Sequence, residues 1–170
     1  AGANAVGALT WLTPTSGAAG AISNINSLTG GAGNPIFASL GSGYQSLLSP
    51  GWNNGAGAVT VFQSSSAPVG AISSSNSLVN GNAGNGHGEL TDTSIVSLGG
   101  TLRAVLTPGW NASAGAITGF DLNSGISGTI GSTISLTGAA GSELGDSLAV
   151  MQSGNLVAAS PGWSGGKGAV

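Results

Sequence analysis

Charge is what this sequence has least of. Two basic residues, Arg103 and Lys167, and five acidic ones, Glu89, Asp92, Asp121, Glu143 and Asp146, are all it carries in 170 positions. A surface that neutralises phosphates needs clustered Lys and Arg, so nucleic acid is excluded as a partner. Cysteine is absent, which excludes disulfides, zinc–thiolate sites and a thiol nucleophile. No run of about 18 apolar residues occurs, so no membrane insertion by a helix is expected. Only six residues are proline and the glycines keep no three-residue period, which excludes a collagen. The net charge of −3 and mean hydropathy of +0.32 argue against a chain held open by self-repulsion. The chain opens at Ala1 with no basic stretch and no long apolar stretch behind it, the pattern of a processed end or a fragment edge.

What is abundant is glycine, with 33 residues, and it recurs in a pattern. Gly7-Ala8-Leu9-Thr10-Trp11, Gly57-Ala58-Val59-Thr60-Val61 and Gly115-Ala116-Ile117-Thr118-Gly119 open three units. A second landmark begins 13 residues after each opening: Gly20-Ala21-Ile22-Ser23, Gly70-Ala71-Ile72-Ser73 and Gly128-Thr129-Ile130-Gly131. These lead to Asn26-Ser27-Leu28, Asn76-Ser77-Leu78 and Ile134-Ser135-Leu136. A third landmark closes each unit: Ser49-Pro50-Gly51-Trp52, Thr107-Pro108-Gly109-Trp110 and Ser160-Pro161-Gly162-Trp163. The repeats are therefore 1–56, 57–114 and 115–167, with Gly168-Ala169-Val170 reading as the start of a fourth. The constant offset marks a rigid first half, with length variation confined to the second half.

Helix is disfavoured, because interior glycine costs about 1 kcal/mol relative to alanine and supporting charge pairs are missing. Period-2 runs point to strands instead. Ala58–Phe62 is one. Ser94–Leu98 with Thr101–Leu106, and Ser147–Met151 with Asn155–Ala159, read as hairpins turning at Gly99-Gly100 and Ser153-Gly154. About four short strands fall in each unit. The fold class expected is all-β: three tandem four-stranded antiparallel blade-like repeats of β-propeller type, incomplete or completed by oligomerisation, with a β-solenoid as the alternative. Pro-Gly in the closing landmark suits a type II turn with positive φ at glycine. Trp52, Trp110 and Trp163 then serve as structural plugs between blades, or else as exposed platforms that stack on ligands.

Gly145-Asp146-Ser147-Leu148-Ala149-Val150, Gly154 to Gly162 and Gly168-Ala169-Val170 resemble the FG-GAP blade of integrin-α-like β-propellers. The Pro-Gly-Trp-Asn, Gly-Ala-Val-Thr-Val and Ser-x-x-Asn-Ser-Leu elements also resemble repeats of large secreted bacterial adhesins of the filamentous-haemagglutinin sort. The resemblance implies a propeller fold and a secreted or cell-surface location. The Asp-rich calcium loop common in such blades has no counterpart here. Residues 80–89 carry one carboxylate, too few for a useful calcium site, and neither metal nor cofactor is expected.

Enzymatic chemistry finds little support. His87, the only histidine, lies in a glycine-rich stretch. Glu89 with Asp92, and Glu143 with Asp146, occupy corresponding places in two repeats, as a repeated turn would; a glycosidase using Glu89 or Glu143 is the weakest reading. Lys167 follows Gly165-Gly166 but belongs to no P-loop, and Asn111-Ala112-Ser113 is a lone glycosylation sequon. A neutral surface of small polar residues has little repulsion against its own copies, and three blades are too few to close a ring. The expected function is a non-enzymatic extracellular structural protein that self-assembles into a fibre, sheath or adhesin. Its partners are further copies of itself. Pro50, Pro108, Pro161, the three tryptophans and Gly168, Ala169 and Val170 are the assembly residues. The alternative is a carbohydrate-binding module in which the tryptophans stack on glycans.

Overall fold

In a computed structural model, residues 6–12, 20–32, 36–41, 43–66, 68–81, 90 and 94–170 are described. The chain is β-structure in several small sheets. Its strands are β1 (Val6–Thr10), β2 (Ser27–Ala32), β3 (Ile36–Gly41), β4 (Tyr44–Ser49), β5 (Ala58–Gln63), β6 (Gly70–Ala71) and β7 (Leu78–Val79). They continue with β8 (Ser94–Gly99), β9 (Leu102–Thr107), β10 (Ala116–Asp121), β11 (Gly128–Thr129), β12 (Leu136–Thr137), β13 (Leu148–Val150) and β14 (Leu156–Ala158). The two hairpins read from the sequence form antiparallel: β8 with β9, and β13 with β14.

The sheets do not coincide with the repeats. The first runs β1-β2-β6, the second β11-β7-β5-β4-β3, the third β12-β10-β9-β8 and the fourth β13-β14. Each closing hairpin pairs forward with the opening strand of the following unit, as Ser49 opposite Ala58 and Thr107 opposite Ala116 show. The third sheet has four antiparallel strands, but they come from two units and not from one repeat as expected. The expectation of antiparallel blades is corrected elsewhere, because β6 pairs parallel with β2 and β11 parallel with β7. The second landmark, Gly-Ala-Ile, therefore belongs to the sheet before its own. Two residues per strand give no periodicity for a sequence pattern to reveal.

Side-chain alternation along β5 explains how the sheets stack. Ala58 and Phe62 face one core with Leu28, Leu47, Ile72 and Val79. Val59 faces another with Leu78, Val105, Trp110, Ala116 and Ile130, and Val61 packs against it. Successive residues point to opposite faces of a strand, so the second sheet is buried on both sides, between the first and the third. That is why Ala58-Val59-Thr60-Val61-Phe62 reads as a nearly continuous apolar run. Polar pins join the second and third sheets: Tyr44 Oη meets Asn123 Oδ1 at 3.0 Å, and Arg103 Nη2 donates to the Leu40 carbonyl at 2.9 Å. Arg103 Nη1 donates to the Gly100 and Leu102 carbonyls, which satisfies a buried guanidinium without a carboxylate.

The Pro-Gly-Trp turn differs from expectation. Gly51, Gly109 and Gly162 have φ of −82°, −77° and −80° with ψ near zero, the third-residue geometry of a type I turn, not type II. Positive φ comes just after, at Asn53, Asn54 and Gly55, at Asn111, Ala112 and Ser113, and at Ser164, Gly165 and Gly166. Each is one left-handed turn, closed by a further left-handed glycine, Gly57, Gly115 or Gly168. At Gly115 no other residue fits: φ is +79° and a Cβ would strike the backbone of Leu144.

Candidate functional site: a repeated inter-sheet stitch

The arrangement that recurs most faithfully is the docking of one unit's Gly-Ala-Ile segment on the preceding unit's Ser-Leu strand. Ile72 N–H donates to the Thr29 carbonyl at 2.8 Å. Gly128 N–H donates to the Ser77 carbonyl at 3.1 Å and Ile130 N–H to the Val79 carbonyl at 2.9 Å. In these three bonds the amide lies on the later unit and the carbonyl on the earlier one, while the Thr29 hydroxyl of the earlier unit donates back to the Gly70 carbonyl at 3.5 Å.

A second set of bonds shapes the segment before it docks. Asn76 Oδ1 accepts from Ser73 N–H at 3.0 Å and from Ser77 Oγ at 3.0 Å, while its Nδ2 donates to the Ala71 carbonyl at 2.9 Å. Asn26 makes the same three bonds with Ser23, Ser27 and Ala21. The serine is bound in turn to a threonine of the opening strand: Thr10 with Ser27, Thr60 with Ser77 and Thr118 with Ser135, each 2.7 Å between hydroxyl oxygens. Ser77 spends its single proton on Asn76, so Thr60 is the donor in its pair. In the third unit Ile134 stands where asparagine stands in the others.

Trp52 closes over the docked segment, with Nε1 donating to the Ile72 carbonyl at 3.2 Å. Trp110 is buried beside Ile130 in the core between the second and third sheets, its Nε1 without a partner among the described residues. Trp163 is 49% exposed. Two tryptophans thus sit between sheets and one does not. Pro50, Pro108 and Pro161 lead into the three left-handed turns. Ala169 pairs with Ser160 through two backbone bonds of 2.8 and 3.0 Å, the place Ala58 and Ala116 take opposite Ser49 and Thr107. Gly168 supplies the left-handed step before it, and Val170 is solvent-exposed.

The stitch decides which apolar side chains are covered. Ile72 and Ile130, which dock, are 5% and 4% exposed; Ile22, at the same place in the first unit, is 66% exposed. Leu28 and Leu78, which receive a segment, are 1% and 0% exposed; Leu136 is 63% exposed.

His87, Glu89 and Asp92 lie outside the described residues. Glu143 and Asp146 are exposed and share a turn in which Asp146 N–H donates to the Glu143 carbonyl at 3.1 Å. Asp121 is held below its ordinary pKa of 3.8. The Asn123 N–H on its Oδ1 is the largest cause and the Thr101 hydroxyl on its Oδ2 the next. An open cleft of about 320 Å³ beside Tyr44 is lined by Gly43, Gln63, Ser64 and Ser65, none of them charged. Among the described residues no three His, Cys, Asp or Glu lie together. No described helix is long and apolar enough to cross a membrane.

The sequence matches a family described as a repeat of unknown function (DUF5650) over residues 1–35, 40–89 and 104–146. The chain belongs to that repeat family. The matched stretches are three in number, as the units read from the landmarks are, but the second and third begin at residues 40 and 104, ahead of Gly57 and Gly115. No curated protein and no solved structure matches it.

The Gly-Ala-Ile landmark and the Ser-Leu strand were both visible as repeated words in the sequence, but their pairing was not. The equal 17-residue step from Thr10 to Ser27, Thr60 to Ser77 and Thr118 to Ser135 ties the opening strand to the Ser-Leu strand of its own unit, not one unit to the next.

Proposed function

We propose that this chain is a non-enzymatic, extracellular structural repeat protein that self-assembles by completing sheets between copies. Its sheets act as blades of a propeller-type or stacked array. The observation that carries this reading is where apolar surface is left open. Apart from Val69 and Leu102, every large apolar side chain found exposed among the described residues lies at one of two ends. Trp11, Leu12, Ile22 and Ile25 lie toward the first sheet. Ile134, Leu136, Val150, Met151, Leu156 and Trp163 are among those toward the last two. Exposed apolar surface gathered in patches marks interaction sites. Charged residues amount to 4%, so almost no repulsion opposes contact between copies. Secreted adhesin-like surroundings fit a cysteine-free, neutral exterior built from Ser, Thr, Asn and Gly.

Negative-stain microscopy and light scattering of the purified chain test the reading. Rings, rods or filaments are expected as concentration rises. A compact monomer at all concentrations overturns it. A second reading, a carbohydrate-binding module, draws on half-exposed Trp163 as a stacking platform. It requires tryptophan fluorescence to respond to added glycans and to lose that response in Trp163→Ala.

A further inference from the structure

We propose that residues Gly20–Ser23 of one copy dock, parallel, on the Leu136–Thr137 edge of a second copy, repeating between chains the stitch that joins units within the chain. The inference rests on the self-assembly reading and specifies the contact. Within the chain the same joint is made twice, β6 on β2 and β11 on β7. The sequence words that form it occur three times, which leaves one donor segment and one acceptor edge unmatched. The unmatched donor is Gly20-Ala21-Ile22 and the unmatched acceptor is Ser135-Leu136-Thr137. They lie at opposite ends of the row of sheets.

The two are complementary in detail. By the internal register, Gly20 N–H meets the Ser135 carbonyl of the second copy and Ile22 N–H meets its Thr137 carbonyl. Ile22 then covers Leu136, as Ile130 is covered beside Leu78. The donor segment is already shaped for this. Asn26 ties it through Ser23 N–H at 2.9 Å and the Ala21 carbonyl at 3.0 Å, although nothing docks against it. A segment held in its bound form loses little entropy on association. Trp163 follows its hairpin as Trp52 follows its own, so its indole N–H stands for the Ile22 carbonyl as that of Trp52 does for Ile72. Main-chain pairing on an open sheet edge supplies the affinity and the buried isoleucine the register. The contact is head-to-tail, so it yields a ring if the rotation closes and a filament if it does not.

Sedimentation of the wild-type chain and of two charge variants tests this. Ile22→Asp spoils the donor and Leu136→Asp the acceptor. Both side chains are exposed, and circular dichroism checks that each variant folds. Wild type is expected to form higher oligomers and each variant alone to be monomeric. An equimolar mixture is expected to give a one-to-one dimer and nothing larger, because it holds one intact donor and one intact acceptor. Two variants that each assemble like wild type, or a mixture that stays monomeric, overturn this contact while self-assembly stands. A wild-type chain that is monomeric throughout overturns both, including the case in which a further repeat of a longer polypeptide takes the edge. A second measurement does not depend on the charge variants. In this cysteine-free chain, Ala21→Cys with Thr137→Cys is expected to give an oxidant-dependent ladder of covalent oligomers. Thr29→Cys with Ala71→Cys, opposite each other in β2 and β6, gives only an internal link. Absence of the ladder overturns the proposed register.

Discussion

Asn76 and Asn26 make the same three bonds, but only the segment shaped by Asn76 is docked. Removing Asn76 frees a serine hydroxyl and two main-chain groups at a buried joint, so Asn76→Ala is expected to lower stability by about 1–3 kcal/mol in urea denaturation. Asn26→Ala frees partners that are as buried, Ser27 being 1% exposed and Ser77 0%, and is expected to cost less only by the docking that its segment lacks among the described residues. Ala112 offers the opposite case. It holds φ of +56° in the second left-handed turn, where Asn54 and Gly165 stand in the others. A side chain there costs about 1–2 kcal/mol, part of which glycine returns as entropy in the unfolded chain. Ala112→Gly is therefore expected to raise stability by about 0.5–1 kcal/mol, read from the same denaturation curves.

At the scale of elements, the strand runs with alternating side chains were legible and the two-residue strands were not. Ser94–Leu98, Thr101–Leu106 and Ala58–Phe62 carry enough residues for a period of two to show. β6, β7, β11 and β12 hold two residues each and are fixed by tertiary partners alone. The Pro-Gly-Trp landmark announces a turn but not its type, because Gly51 and its counterparts keep negative φ. The left-handed residues lie two or more positions on, at Asn53 and Asn54, types that tolerate the left-handed region. Of the candidate site, the words were legible and their pairing was hidden, since a hydrogen bond between units leaves no local pattern.

The turn after β10 holds Asp121 below its ordinary pKa. Asp121 accepts from Asn123 N–H and from the Thr101 hydroxyl only when ionised, so its folded pKa lies below its unfolded one. The stability this gives is present above about pH 4 and is lost as pH falls through the lowered folded value. Asp121→Asn is expected to flatten that part of the pH–stability curve by lowering stability at neutral pH toward the acid value of wild type, as thermal melts between about pH 2 and pH 7 would record.

For the whole molecule, the contrast is between a nearly chargeless exterior and joints made of main-chain bonds and aliphatic side chains. Interfaces held by ion pairs weaken as salt shortens the screening length. This one has no such dependence to lose. The distribution of oligomers in sedimentation is expected to be unchanged between about 0.05 M and about 0.5 M sodium chloride. A marked shift toward monomer would point to the few carboxylates as contacts. Arg103 belongs to this scale as well. Its one guanidinium spans two sheets by binding carbonyls, so the buried cation among the described residues fastens neighbours together.

Every stitch runs the same way: the Gly-Ala-Ile segment of the later unit lies parallel on the Ser-Leu strand of the earlier one. The row of sheets therefore has a front and a back that cannot be exchanged. Two copies meeting front to front would bring two Gly-Ala-Ile segments together with no Ser-Leu edge between them, so this joint does not make a two-fold dimer. A chain that adds units through this joint adds them in one direction only.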